Sequence, residues 1–267
     1  MSNAARSGVE IGRELNNIIE KKSQLAFYEL ILLGMLAGIY IGFGAIAATT
    51  VWANSAGMSV ALSKFLGASV FCVGLVLVII PGSELFTGNI LMAAGVADRK
   101  VKLARVLRNW VCVYAGNFIG ALLLAFAMFG TGLLGSPDAP STLGEKAAAI
   151  AVAKIDLGFL QALLRGVLCN ILVCLAVVLA ISSHTIVGKI LGIYFPIMVF
   201  VLSGFEHSVA NMYFIPAGLL VKGSLFASFG LIWQNLVPVT IGNIIGGLLV
   251  IMLHPARVKQ IARAIRE

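Results

Sequence analysis

The chain has 267 residues and a formal net charge of +8, with 60% hydrophobic and only 11% charged residues. A soluble domain carries about 25% charged residues, so this chain has too little polar side chain to cover a surface in water. The composition excludes a soluble enzyme and a nucleic-acid-binding domain, and it indicates a polytopic membrane protein.

The predicted elements begin with a polar N-terminal segment, 1–29, in which residues 6–28 are expected to form an interfacial helix. A helix needs roughly 20 apolar residues to cross a bilayer. Long uncharged runs recur through residues 30–253 and predict an all-α membrane domain with six transmembrane helices, followed by a basic cytoplasmic tail at 254–267. The predicted spans are 30–51, 65–95, 109–132, 158–181, 190–219 and 232–253.

Lysine and arginine residues are distributed unevenly between the loops that separate these spans. Basic residues concentrate in the cytoplasmic loops of membrane proteins. With the N-terminus inside, 14 of the 19 Lys and Arg residues fall on the cytoplasmic side, which predicts that both termini are cytoplasmic. The outer loops hold Lys64, Lys146, Lys154 and Lys222, and Arg165 lies within a span.

The chain also contains an internal repeat. RNWVCVYAGNFIGALL at 108–123 and QNLVPVTIGNIIGGLL at 234–249 share nine of sixteen aligned positions. A second pair, ELFTGN at 84–89 and EHSVAN at 206–211, follows the same order. Because each half holds three spans, the two halves are predicted to be inverted relative to each other, as in transporters and channels with a site near the midplane.

Two of the predicted spans contain residues that disfavour a continuous helix. The second includes PGSELFTGN at 81–89, and the fifth includes SGFEHSVANM at 203–212. Ionisable groups at membrane depth indicate a functional site by default, and these segments hold Glu84, Glu206 and His207. Broken backbone is tolerated there only where protein buries it or where it lines a cavity. We therefore predict interrupted second and fifth helices that face one pathway.

The polar residues of these segments are assigned two roles. The carboxylates are interpreted as structural, because a carboxylate facing the path would repel anions, and they are expected to accept hydrogen bonds from loop amides or from the repeated asparagines. His207 and Thr87 are assigned to the pathway. Asn170 and Asn211 are placed in the pathway set, with the satisfaction of broken helix ends as their other possible role. The structural polar set is Glu84, Glu206, Asn117 and Asn243.

Five segments together resemble the formate/nitrite transporter family, which also includes hydrosulfide channels. The resemblance covers residues from about 25 to 253, and GFEHSVANMYFIP at 204–216 is the most specific motif. It implies a homopentamer of aquaporin-like six-helix protomers in the cell inner membrane, each with its own pore. The other segments are ELFTGN, NWVCVYAGNFIGALL, LCNILVCLAV and NLVPVTIGNIIGG.

The resemblance also carries site residues onto this chain. The family's central histidine falls on His207, its loop threonine on Thr87, its lysine before the fourth helix on Lys154, and its fourth-helix asparagine on Asn170. Many formate-type members have an uncharged residue at the position of Arg165. The family's hydrophobic constrictions fall on Leu75, Leu85 and Phe86 on the cytoplasmic side and on Phe71 and Phe200 on the periplasmic side.

The predicted function is therefore a channel or transporter for small monovalent anions and their conjugate acids: formate, nitrite or hydrosulfide. His207, with a reference pKa of about 6.5, is expected to make flux pH-dependent. The alternative is an aquaporin-like channel for neutral solutes, although paired Asn-Pro-Ala loops are absent from the sequence. No catalytic motif, metal cluster or phosphate loop is found, so no enzyme activity, cofactor, metal or nucleic-acid partner is expected.

Overall fold

The computed structural model describes residues 5–253, and the regular elements assigned there are helices. Five of these helices are long and apolar enough to cross a membrane, with Val60–Ile79 counted as one. Shorter apolar helices follow two chain breaks. In chain order the helices are α1 (Gly8–Gln24), α2 (Phe27–Ala53), α3 (Val60–Phe71), α4 (Val73–Ile79), α5 (Phe86–Asn89), α6 (Ala93–Ala97), α7 (Leu103–Gly130), α8 (Thr142–Ile155), α9 (Phe159–Ser182), α10 (Ile186–Leu202), α11 (Ser208–Val221) and α12 (Phe229–Met252).

Glycines let the long helices approach closely, as α2 and α7 do. A Cβ atom on Gly38 would lie 2.1 Å from the carbonyl oxygen of Asn117, and one on Gly120 would lie 2.0 Å from that of Met35. The α9–α12 pair packs in the same way through Gly246. Membrane helices associate by close packing and hydrogen bonding rather than by the hydrophobic effect, so small residues decide which faces meet.

The apolar run predicted as a span at 65–95 forms several helices. Its first helix begins at Val60, earlier than predicted, because the Ser59 hydroxyl accepts a hydrogen bond from the Leu62 amide and caps it. Residues 80–85 separate α4 from α5, and Gly82 there has a φ of +91°, which a glycine adopts without strain. We call residues 80–85 the first break.

The run predicted at 190–219 is divided in a similar way. α10 ends at Leu202 and α11 begins at Ser208, with Gly204 between them at a φ of +71°. We call residues 203–207 the second break. Both breaks combine a glycine in the left-handed region with a carboxylate two residues later in the chain.

Helix α8 was not predicted, since its residues were assigned to an outer loop. It starts where the Ser141 hydroxyl accepts a hydrogen bond from the Gly144 amide, and its buried face consists of small residues. That face lies against α11, where a Cβ atom on Gly218 would lie 2.5 Å from the carbonyl oxygen of Ala147. A helix of this length with charged residues falls below the limit for a spanning segment, so the apolar-run criterion missed it.

The N-terminal helix is shorter than the predicted 6–28. A capping box between Ser7 and Glu10 fixes its start, and α2 begins at Phe27 rather than at residue 30. The predicted basic tail at 254–267 lies outside the described residues.

Candidate functional site

His207, the last residue of the second break, meets Thr87 of α5, the helix that follows the first break. The Thr87 hydroxyl oxygen lies 2.8 Å from Nε2 of His207, and both residues are buried, at 0% and 3% exposure. His207 is also the N-cap of α11, where its Nδ1 accepts a hydrogen bond from the Ala210 amide at 3.1 Å. This pattern assigns the proton of the neutral ring to Nε2, which donates to Thr87. The threonine hydroxyl proton then remains available to a further acceptor.

Asn117 of α7 satisfies the backbone of the first break. Its Oδ1 accepts from the Phe86 amide at 2.9 Å. Its Nδ2 donates to the carbonyl oxygens of Gly34 and Glu84, at 2.7 and 2.9 Å. One buried side chain thus replaces the helical hydrogen bonds that the break removes.

Asn243 of α12 has the same role in the second break. Its Oδ1 accepts from the Ser208 amide at 2.9 Å. Its Nδ2 donates to the carbonyl oxygens of Gly166 and Glu206, at 2.8 and 3.0 Å. The two asparagines therefore have matching partners in the two parts of the chain.

These contacts correct one expectation. The side chains of Asn117 and Asn243 bind the main-chain carbonyls of Glu84 and Glu206, whereas the carboxylates were expected to be possible partners. The carboxylates bind lysines and other asparagines. The reason is geometric, because the break leaves main-chain groups unpaired next to the asparagines.

Glu206 anchors a polar cluster beside the second break. Lys154 Nζ lies 2.9 and 3.1 Å from its two carboxylate oxygens, and Asn211 Nδ2 donates to it at 2.6 Å. Asn211 also donates to Asn235 Oδ1, and Asn235 donates to the Lys154 carbonyl oxygen. Lysine and carboxylate neutralise each other in this largely buried cluster, with 14% and 6% side-chain exposure.

Glu84 anchors a corresponding cluster beside the first break. Lys22 Nζ lies 2.8 Å from its carboxylate and 2.9 Å from Asn89 Oδ1. Asn89 Nδ2 donates to Glu84 and to Asn109 Oδ1. Sequence reasoning missed Lys22, which was counted only as one of many cytoplasmic positive charges. Its signal was present, since Lys22 and Lys154 lie equally far before the Gly34 and Gly166 positions.

Two cavities lie next to the Thr87–His207 pair, one lined by His207 and the other by Gly88, the neighbour of Thr87. One, of about 230 Å³, is lined by Lys154, Arg165, Phe200 and His207 among others, and we call it the Lys154 cavity. The other, of about 350 Å³, is lined by Lys22 together with residues of α1, α4 and the first break, and we call it the Lys22 cavity.

Apolar side chains form part of the lining of both cavities. The rings of Phe200 and His207 stack with centroids 5.9 Å apart, and Phe71 contacts Phe200 edge-on at 5.7 Å. Leu75 and Leu85 line the Lys22 cavity.

Phe86 is placed differently. Its ring packs against Tyr114, with centroids 4.9 Å apart, and against Trp110. It does not belong to the lining of either cavity.

The remaining predicted pathway residues are in buried positions. Asn170 Nδ2 donates to the carbonyl oxygens of Thr87 and Asn243, at 3.1 and 2.6 Å, so it connects α5 to α12. Asn211 lines the Lys154 cavity. The Oδ1 atoms of both asparagines lack a partner among residues 5–253. Over the same residues, no group of three or more His, Cys, Asp or Glu is placed to hold a metal.

A family model described as Formate/nitrite transporter matches residues 9–256. The chain belongs to the formate/nitrite transporter family. Among relatives of this transporter, a probable formate transporter of Methanothermobacter thermautotrophicus is 42% identical over 92% of this chain and 94% of its own. The formate channel FocA of Haemophilus influenzae is 34% identical over 94% of both chains.

Solved structures of formate/nitrite transporters have the same fold. A pentameric formate channel with formate bound superposes with a TM-score of 0.75 at 34% identity, covering 88% of this chain and 98% of that one. An ion channel of the same family superposes with a TM-score of 0.81 at 26% identity, covering 91% of this chain and 96% of that one. This transporter is therefore a membrane protein of a family whose named relatives are channels and transporters.

Proposed function

We propose that this chain forms a channel for small monovalent anions and their conjugate acids, with formate as the first candidate substrate. The named relatives are formate channels and transporters, one of them bound to formate. The observation that carries the proposal is the buried Thr87–His207 pair, next to two cavities that are both lined by lysine and arginine side chains. Nitrite and hydrosulfide are the other candidates.

The proposed architecture has six transmembrane helices in two inverted repeats, with interrupted second and fifth helices. The matched contacts of Asn117 and Asn243 support it, as do the two lysine–glutamate clusters. In this architecture α1 and α8 are equivalent, and so are α2 and α9. Both termini are cytoplasmic, α1 lies at the cytoplasmic interface, and the Lys154 cavity opens to the outside.

The apolar lining sets the energetic problem for an anion. Moving a bare ion into a medium of low dielectric costs of order 20 kcal/mol in the ideal case, and several kcal/mol after relaxation. A neutral acid faces a far smaller barrier. We propose Phe71 and Phe200 as the outer constriction. We propose Leu75, Leu85 and Phe86 as the inner constriction. The Phe86 ring is held in place by its packing against α7.

The Thr87–His207 pair provides polar contacts between these constrictions. With a neutral ring, Nε2 donates to Thr87 and the threonine hydroxyl donates to the arriving anion. Protonation of His207 at Nδ1 adds a positive charge and releases the Ala210 amide. We propose that this change makes flux pH-dependent and that Asn170 and Asn211 contribute amide groups along the path.

The test is flux through the purified protein in proteoliposomes. We expect saturable uptake of formate, with nitrite and hydrosulfide as alternative permeants, and little passage of chloride or glycerol. Liposomes without protein give the background rate. Glycerol passage without any anion passage would contradict the proposal and favour a neutral-solute channel.

A further inference from the structure

Arg165 is the charged residue of the Lys154 cavity whose role the site leaves unexplained. It lies in the second turn of α9, is exposed, and lines the cavity together with Lys154, Phe200 and His207. Its main chain is fixed, because its carbonyl oxygen accepts from the Glu206 amide at 3.3 Å and that of Gly166 accepts from Asn243. The second break therefore fixes the main chain from which the Arg165 side chain extends.

The other cation in this cavity is already neutralised. Lys154 Nζ binds both carboxylate oxygens of Glu206 within 3.1 Å and lies 5.2 Å from the centroid of the Phe214 ring. Arg165 has neither a hydrogen bond from its guanidinium nor an ion pair within residues 5–253. The net positive charge of the cavity wall thus comes from Arg165.

Comparison of the two breaks shows that the backbone does not require this charge. The Glu84 amide donates to the Leu33 carbonyl oxygen just as the Glu206 amide donates to that of Arg165. A leucine therefore fulfils the same main-chain role in the first half. The Lys22 cavity instead gains its additional cations from other elements, namely Arg6 and Lys189.

We propose that Arg165 is the residue that captures anions at the Lys154 cavity and raises their local concentration before the constriction. This inference rests on the proposed function and identifies a selectivity residue within it. The attraction between an anion and the guanidinium is stronger near a low-dielectric wall than in bulk water. Salt reduces the effect, since the Debye length falls from about 30 Å at 0.01 M to about 3 Å at 1 M.

The test compares initial formate uptake by wild type, Arg165→Leu, Arg165→Gln and Arg165→Lys in proteoliposomes from low to high ionic strength. At low salt and low formate, Leu and Gln are expected to reduce uptake about fivefold, corresponding to about 1 kcal/mol of lost attraction. Lys is expected to retain most of it. The loss should appear as a higher half-saturation concentration at unchanged maximal rate, and it should vanish at 1 M salt.

The outcomes separate this inference from the proposed function. If all three variants took up formate at the wild-type rate and with the wild-type salt dependence, the role of Arg165 would be overturned and the channel proposal would remain intact. Absence of anion uptake by wild type would instead reject the channel. Equal loss in all variants at every ionic strength would show a structural role and overturn charge-based capture. Retained melting temperature and size-exclusion profile verify that each variant is folded.

Discussion

His207 has two functions that a single residue type must satisfy. Its Nδ1 caps α11 by accepting from the Ala210 amide, and its Nε2 contacts the hydroxyl of Thr87 in α5. A residue with one acceptor near the backbone satisfies the first requirement. The second nitrogen of the histidine ring also satisfies the second requirement, which is the contact with Thr87. The proposed proton chemistry is therefore coupled to the start of a helix.

This double role predicts the behaviour of His207→Asn. Asparagine is among the best N-cap residues, so the variant should keep the melting temperature of wild type while losing the titratable group. The ratio of wild-type to variant formate flux should change as the pH falls, because only the wild-type side chain at this position takes up a proton. Taking the ratio removes the pH-dependent fraction of free formic acid, which affects both proteins equally.

His207→Ala is the matched control for the cap. It should lower the free energy of unfolding by about 1 kcal/mol, because the Ala210 amide loses its acceptor. A flux ratio for His207→Asn that stays constant across the pH range would exclude His207 as the pH-sensing group.

The sequence predicted His207 and Thr87 because polar residues in a broken apolar run are rare enough to stand out. Lys22 was not recognised, since it is one of several basic residues in a polar segment and its partner Glu84 is distant in sequence. Phe86 was carried over from the family, but nothing in the sequence indicated that its ring packs against Tyr114. Side-chain direction at a break depends on tertiary partners.

At the scale of helices, close packing and the breaks depend on each other. Asn117 belongs to the face of α7 that contacts α2, and the same residue satisfies the first break. A change in the distance between α2 and α7 therefore displaces the hydrogen bonds of the break. Glycine at the crossing is a functional requirement as well as a packing one.

Gly38→Ala is expected to disturb both. The new Cβ atom would lie 2.1 Å from the Asn117 carbonyl oxygen, which is main chain and cannot rotate away. Overpacking of this kind costs about 1–3 kcal/mol. We expect a lower melting temperature in detergent and reduced formate uptake.

The matched control is Gly12→Ala. Gly12 lies in α1 with nothing within 4 Å of an added Cβ atom. Alanine in a helix interior is more favourable than glycine by roughly 0.5–1 kcal/mol, so stability should be unchanged or higher. Equal melting temperatures for wild type and Gly38→Ala would show that α2 and α7 can separate without cost.

Hydropathy predicted the long helices because α2, α7, α9 and α12 each form from one continuous apolar run. It missed α8, whose buried face is alanine and glycine and whose other face carries Glu145 and Lys146. Hydropathy also did not predict the residues at which the breaks end. The helix after each break begins where an asparagine on another element accepts the amide of its first residue, and hydropathy holds no information about that partner.

At the scale of the whole molecule, the surface of one protomer is strongly apolar. Large hydrophobic side chains are exposed on all the long helices, and Phe118 and Trp233 stack at 5.6 Å on two different ones. Lipid covers such a surface, and so does another copy of the chain. The similar formate channel is pentameric, which is consistent with cover by other copies of the chain.

We predict that the purified protein is a homopentamer. Native mass spectrometry from detergent should give a protein mass of five times 28.1 kDa. The empty detergent micelle and a membrane protein of known stoichiometry calibrate the measurement. A stable mass of one or four copies would contradict the prediction while leaving the pore within each protomer possible.

The asparagine contacts also impose an order on biogenesis. The carbonyl oxygens of Glu84, Thr87 and Glu206 accept from Asn117, Asn170 and Asn243 respectively, so each of these three acceptors is synthesised before its donor. Unpaired carbonyls in hydrocarbon are costly. Each broken segment of the nascent chain must therefore stay near water or inside the insertion machinery until the helix with its asparagine has been synthesised. A chain on a ribosome that stalls before that helix keeps unpaired carbonyl oxygens.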